Sequence, residues 1–263
     1  MNRSDEAGEV QPKLAQIAGI FRERLPASAL RRHVDRVWTN EFPKAATLDV
    51  VPDGCIDIYW TGSGLQIAGP NTQVATVTIE GAANLAGVRF HPGIAIRWLG
   101  VSATELLNTQ PLLEDFWGRR ATAQLSDKLA AAKNAPGAAG ILEDALIGRL
   151  HRVAPADPII SATVAAAAKE GAAPQGIVRG LIDEFGWSER TLRRRCLDAF
   201  GYGPKTLERI LRFQRFLRLL SGGPAPLSVL AIEAGYADQA HLAREVRRLS
   251  GQSPRALMSE LQS

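Results

Sequence analysis

Two hydrophobic periods divide this chain. From Val37 the apolar positions recur every second residue: Leu48, Val50 and Val51 run into the turn Pro52-Asp53-Gly54, followed by Cys55 to Trp60, Thr61-Gly62-Ser63-Gly64 and Leu65 to Ala68. Val74–Ile79 and Leu85–Phe90 continue the series. Short alternating runs with Gly and Pro between them predict an antiparallel β structure, a sandwich or small barrel. Ahead of it, Leu14–Leu25 is expected as an amphipathic piece closed by Pro26.

After His91-Pro92-Gly93 the period becomes helical. Ser102 with Glu105 fits a capping box before Leu106-Leu107. Ala121–Ala132 and Ile141–Val153 carry leucines at helical spacing, Leu125 and Leu129 in the first, Leu142, Leu146 and Leu150 in the second. Such helices would pack on the β region or on the same helices of a second copy. Pro155 and Pro158 discourage a continuous helix and mark a domain boundary near Ala154–Asp157. The alanine-rich Ile159–Lys169 predicts the first helix of the second domain, Gly171–Gly176 a loop, and Pro204 the start of a connector helix that reaches Leu220.

From Gly176 to the end the chain says nearly the same thing twice. Leu181–Arg195 leads through Gly201 to Pro204, and Leu230–Arg244 leads through Gly251 to Pro254. Gly186 and Gly235 lie 49 residues apart, while Gly201 and Gly251 lie 50 apart, so the second copy carries one extra residue. Each copy has an apolar helix, a glycine that stops it, an aromatic, a capping residue (Ser188 or Asp238) and a second helix. Two helices around such a turn make a helix-turn-helix, whose second helix can enter the DNA major groove.

Charge follows the same division. The 263 residues hold 31 Lys+Arg against 27 Asp+Glu, and from Gly176 onward 14 face 9. The repeat is therefore net +5 and the rest net −1, the distribution expected of a polyanion-binding module joined to a neutral partner. Cys55 and Cys196 are the only cysteines and fall in different domains, which argues against a disulfide framework. Met1–Val10 is polar and mixed in charge, without the apolar core of a signal peptide, and no stretch reaches the ~18 apolar residues of a membrane span, so a cytoplasmic protein with no membrane contact is expected.

The motifs "GWSERTLRRRC", "GYGPKTL", "RFQRFLRLL" and "AGYADQAHLAREVRRLSGQSP" resemble the AraC/XylS family of transcription regulators over roughly the last hundred residues. Cys196 and Val246 stand where that family usually has phenylalanine behind the recognition helix. More loosely, "PDGCIDIYW", "GVRFHPG" and "LLEDFWG" resemble the β-barrel sensor region of a subgroup of these regulators. The fold expected is α+β in two domains: residues 1–153, an antiparallel cupin-like β-barrel with following helices for sensing and dimerisation, and residues 158–263, an all-α tandem helix-turn-helix. The partners implied are double-stranded promoter DNA, RNA polymerase for an activator, a small-molecule effector and a second copy of the chain.

The resemblance places base-reading positions at Arg190, Arg193 and Arg194 in the first unit and at Gln239, His241 and Arg244 in the second. Helical spacing agrees for the first unit, because Leu192, Cys196 and Phe200 share one face and leave the arginines on another. An arginine fork bonds guanine O6 and N7 together, and a glutamine can pair with adenine. The competing reading is a solvated face touching phosphate alone, and for His241 a neutral surface histidine. Ser188, Lys205, Arg212, Arg215, Arg247 and Arg248 are expected at phosphates or simply in water.

Cys55, Asp57 and Tyr59 share one strand face, and with His91 they are candidates for an effector site if that face lines a cavity; an outward polar face is the alternative. A different class of function, alkyl transfer or redox sensing through Cys55, would use the repeat only for delivery. Nothing basic adjoins Cys55 in sequence to lower its pKa. The four histidines, His33, His91, His151 and His241, show no metal-ligand spacing, and no nucleotide-binding glycine pattern occurs, so neither cofactor, metal nor catalytic residue is expected.

Overall fold

The computed structural model describes residues 19–168, 176–223 and 225–261. Its amino-terminal part holds seven strands: β1 (Ile20–Arg24), β2 (Val34–Phe42), β3 (Ala46–Val50), β4 (Asp57–Trp60), β5 (Leu65–Ala68), β6 (Ala75–Ile79) and β7 (Ala83–Phe90). Five form an antiparallel sheet in the order β1-β2-β7-β4-β5, and β3 pairs with β6 in a separate ladder. The expected barrel is thus two facing sheets, unclosed by hydrogen bonds. Proline accounts for much of this. Pro43, Pro52 and Pro70 follow β2, β3 and β5, where the chain crosses between sheets, and a residue without an N–H cannot carry a ladder around the corner.

Within the expected amphipathic piece Leu14–Leu25, whose residues 14–18 lie outside the described part, the chain forms the strand β1. Ile20–Arg24 pairs with β2 from Ile20↔Glu41 to Arg24↔Val37. Its alternation is hard to recognise because both of its arginines are ion-paired at the surface, Arg22 to Glu41 and Arg24 to the buried Glu143.

The five-stranded sheet has two different faces. Ile58, Trp60, Ala86, Val88 and Phe90 point to the helices that follow, with Leu125, Leu129, Leu142 and Leu146 from α3 (Arg119–Ala130) and α4 (Ala135–Arg149) on the other side. Burying each of the Val, Leu, Ile and Phe side chains among them stabilises by about 1.5–3 kcal/mol. The short α1 (Ile96–Leu99) and α2 (Glu114–Trp117) lie between. Ser102 and Glu105 form the expected capping box around a single turn at 103–105. α4 begins six residues before the expected start at Ile141, because Asn134 caps it and Pro136 fits its first turn. The opposite face meets β3 and β6 through a small cluster of Phe42, Leu48 and Leu85.

The carboxy-terminal part is helical: α5 (Pro158–Ala168), α6 (Gly176–Phe185), α7 (Glu189–Phe200), α8 (Pro204–Ser221), α9 (Leu227–Glu233), α10 (Gln239–Ser250) and α11 (Pro254–Leu261). Residues 171–175 of the expected loop lie outside the described part. α8 is its axis. Leu207, Ile210, Phe213, Phe216, Leu217 and Leu220 are fully buried against α6, α7, α9 and α10.

The two parts share a packed interface. Val51 and the partly buried Val74, Ile96 and Leu107 join the carboxy-terminal core. The α7 C-terminus docks on the 103–105 turn so closely that a Cβ on Gly201 would lie 2.9 Å from the Ala103 carbonyl, and one on Gly93 would lie 2.6 Å from Ile160 Cγ2.

Candidate nucleic-acid interface and inter-sheet cavity

Local capping chemistry sets the two recognition helices. Ser188 Oγ accepts from the Thr191 amide at 3.1 Å, and the Asp238 carboxylate accepts from the His241 amide at 2.6 Å. Gly186 and Gly235 take left-handed φ of 66° and 90° where the preceding helices stop. Inward, α7 buries Leu192, Cys196, Ala199 and Phe200, and α10 buries Leu242, Val246 and Leu249. Outward, Arg190, Arg193, Arg194, Gln239 and Arg244 are exposed. His241 is half-buried, edge-on to Tyr236 at 5.3 Å, and its Nδ1 accepts from the Ala237 amide.

The second group of arginines is placed less uniformly. Lys205, Arg247 and Arg248 are exposed. Arg215 is not available to phosphate in this arrangement, since it is 7% exposed with Nη1 beside Gly235. Arg212 is bonded to Glu208 at 2.7 Å and lies over the Tyr236 ring, and Arg209 pairs with Glu245 of α10. These groups hold α8 against the second unit, so a buried cationic side chain at helical spacing was mistaken for surface. Arg195, exposed on α7, lies 3.4 Å from Asp157.

A cavity of about 110 Å³ lies between the two sheets. In β7 the inward positions are Leu85, Gly87 and Arg89. A Cβ on Gly87 would come within 2.3 Å of the Trp38 indole, so glycine there lets Trp38 lie flat across the sheet. Trp38 Nε1 donates to Asp57 at 3.0 Å, and Arg89, directly opposite Asp57 in the ladder, donates to both of its oxygens at 3.0 and 2.9 Å. Asp53 approaches Arg89 at 3.3 Å. Tyr59 donates to Gln66 at 2.6 Å, and burial, aided by the Asp57 charge, pushes its pKa up to about 12.

Of the four candidate effector residues, Asp57 and Tyr59 line this cavity. Cys55 does not, because β4 begins only at Asp57 and the preceding turn directs Cys55 toward Asp53, with its amide on the Asp53 carboxylate at 2.9 Å. His91 sits outside, with Nε2 on the Arg31 carbonyl at 3.0 Å. Arg89, Trp38 and Gln214 were not singled out in the sequence. A cue existed in the glycine two residues before Arg89, in the interior of a strand-like run.

One wall of the cavity belongs to the interface between domains. Val51 and Asp53 line it, Gln214 of α8 reaches it, and Gln214 Nε2 donates to the Pro52 carbonyl at 2.7 Å. The Tyr202 hydroxyl, beside Gly54, is buried without a hydrogen-bond partner among the described residues, and burial first, then Asp53 and Cys55, raises its pKa well above 10.

Residues 181–260, which hold both capped units, match the family model described as a helix-turn-helix domain. The chain carries an AraC-type helix-turn-helix domain. It is accordingly a DNA-binding transcription regulator. Residues 22–111 match a second family model, described as a domain of unknown function, which runs from within β1 through β2–β7.

Among solved structures the chain is similar to ToxT from Vibrio cholerae, at 12% identity over 86% of this chain and 99% of that one, with a TM-score of 0.49. ToxT bound to (E)-4-(8-methylnaphthalen-1-yl)but-3-enoic acid is similar at 13% identity, 86% and 99% coverage and a TM-score of 0.46. Unsaturated fatty acid-bound ToxT gives 11%, 84% and 94%, and 0.47. No curated protein matches the chain. Among the described residues no helix is long and apolar enough to cross a membrane, and no three His, Cys, Asp or Glu side chains gather as a metal site.

Proposed function

We propose that this protein is a one-component regulator that sets α7 and α10 into successive major-groove segments of a promoter, under the control of a small molecule held between its two sheets. Arg190, Arg193 and Arg194 read bases in the first unit, and Gln239, His241 and Arg244 in the second. Ser188, Lys205, Arg247 and Arg248 meet phosphates. One rigid chain, with α8 between the units, then reads an asymmetric site of two segments about 34 Å apart. Support for promoter DNA and for an effector comes from the exposed arginines and the cavity; RNA polymerase and a second copy of the chain complete the set of partners.

The observation that carries effector control is the double duty of residues 51–55. Val51 and Asp53 wall the cavity, while Val51 also packs in the DNA-binding core and Pro52 holds Gln214 of the helix that joins the two units. A molecule that moves this turn moves the seat of α8. Because the arrangement of two recognition helices decides whether both reach one duplex, the turn is where occupancy becomes DNA affinity.

Footprinting of the full chain upstream of its own neighbouring genes, at fixed salt, tests the reading. Protection of two segments one helical turn apart, resistant to scrambled competitor, is expected. Binding that scrambled DNA removes equally well would leave only nonspecific attraction.

A further inference from the structure

We propose that the inter-sheet cavity binds a small organic cation, an apolar amine about the size of a single ring. The inference rests on the effector reading above and adds the chemistry of the ligand.

Size comes first. At about 110 Å³ the space is somewhat smaller than the ~150 Å³ engineered cavity known to admit benzene, so its inner part is matched to a single ring. Its lining is chiefly apolar: Leu48, Val50, Val77 and Leu85 from facing strands, with Phe21, Trp38 and Tyr59 forming a row whose neighbouring ring centroids lie 6.2 and 6.1 Å apart.

Charge decides the rest. Among the described residues that line the cavity, Asp53 and Asp57 are the carboxylates and Arg89 is the cation, which leaves a net charge of −1 within an apolar enclosure. Asp57 takes the Arg89 fork and the Trp38 indole, and Asp53 Oδ2 lies 3.3 Å from the same Arg89 Nε. An anion entering here would meet one guanidinium flanked by two carboxylates. A cation would meet the excess negative charge and three aromatic faces, whose quadrupoles favour it further. Arg89 Nη1, buried and without a hydrogen-bond partner among the described residues, offers a donor to a hydroxyl or carbonyl oxygen on the same molecule. That donor does not reverse the sign of the site, because Nε and Nη2 are turned to Asp57.

The test uses the full-length protein and three probes of one shape: benzylamine, benzyl alcohol and benzoate, titrated by calorimetry and by thermal shift at fixed salt. Benzylamine is expected to bind at least about tenfold more tightly than benzoate, with the alcohol between them. Asp53→Asn keeps an acceptor for the Cys55 amide while removing a charge, and should erase most of that preference. Leu48→Trp fills the space without touching the charges, and should abolish saturable binding of all three. Benzoate binding as tightly as benzylamine overturns the proposal, as does failure of all three to saturate at millimolar concentration. The promoter footprint is measured beside these titrations. A footprint without amine binding removes the ligand class and leaves the DNA reading standing, whereas amine binding without a footprint does the opposite.

Discussion

Gln214, in the middle of the helix that joins the two helix-turn-helix units, donates its side-chain amide to the backbone carbonyl of Pro52 across 162 residues of sequence. The contact ties a cavity wall to the axis of the DNA-binding domain. Both partners are inside the interface, where an unmet carbonyl costs about 1–3 kcal/mol. Gln214→Ala is therefore expected to loosen the two domains by about that amount. Faster tryptic cleavage at the exposed Arg152, just before the domain boundary, together with a smaller effect of any cavity ligand on DNA affinity, is the expected result. Unchanged proteolysis would show that the apolar contacts around Val51 hold the interface alone.

Base and phosphate contacts separate by how their loss is distributed. Arg193 and Lys205 are both exposed, but Arg193 projects from α7 and Lys205 from the first turn of α8. Arg193→Ala should cost about 1–3 kcal/mol on the cognate site and relax the preference at one base position. Lys205→Ala should weaken all sequences alike and reduce the salt dependence by about one counterion. Binding measured on single-base variants of the site, at several salt concentrations, distinguishes them. An equal loss on random DNA from Arg193→Ala would demote that residue to a phosphate contact.

Alkaline pH should destabilise the protein. Burial raises Cys196 from 9.0 to about 12, and burial with the Asp57 charge raises Tyr59 from 10.0 to about 12. Both groups are neutral when protonated, so the folded state holds these protons more tightly than the unfolded chain does. Their contribution is fully present below pH ~9 and is lost as pH rises through 9 to 12, at up to about 1.4 kcal/mol per pH unit for each group. Urea midpoints measured from pH 8 to pH 11 should fall, and Cys196→Val should flatten the part of the slope that begins near 9. A slope unaltered by that substitution would assign the alkaline loss elsewhere.

The tandem units were legible because their signals are local. A stop glycine, a cap and an apolar stripe lie within fifteen residues in each copy, and the offset of 49 to 50 repeats them. The cavity was legible only at Asp57 and Tyr59. Arg89 and Asp57 meet through strand pairing 32 residues apart, and Trp38 reaches Asp57 because of Gly87 on a third element. Alternation reveals that a face exists and not what faces it. Arg215 shows the opposite failure: its residue type suggests water or phosphate, yet the packing of α8 buries it. β1 was missed for a related reason, since charged residues on both sides of an edge strand blur the period of two.

Gly87 carries the last prediction. Its position directly opposite Trp38 and Tyr59 in the two adjoining ladders leaves no room for a side chain, and a Cβ would overlap the indole at 2.3 to 2.8 Å. The indole cannot yield simply by turning away, because its Nε1 is bonded to Asp57 and Asp57 in turn holds Arg89. Gly87→Ala must therefore push Trp38 into the cavity or break the bond to Asp57. Overpacking of this kind costs typically about 1–3 kcal/mol. The expected outcome is a lower Tm, a changed near-ultraviolet tryptophan signal and loss of benzylamine binding, while the recognition helices, none of whose residues line the cavity, keep their affinity for promoter DNA. If Gly87→Ala leaves both the tryptophan signal and ligand binding as they were, the flat seat of Trp38 is not what shapes the cavity.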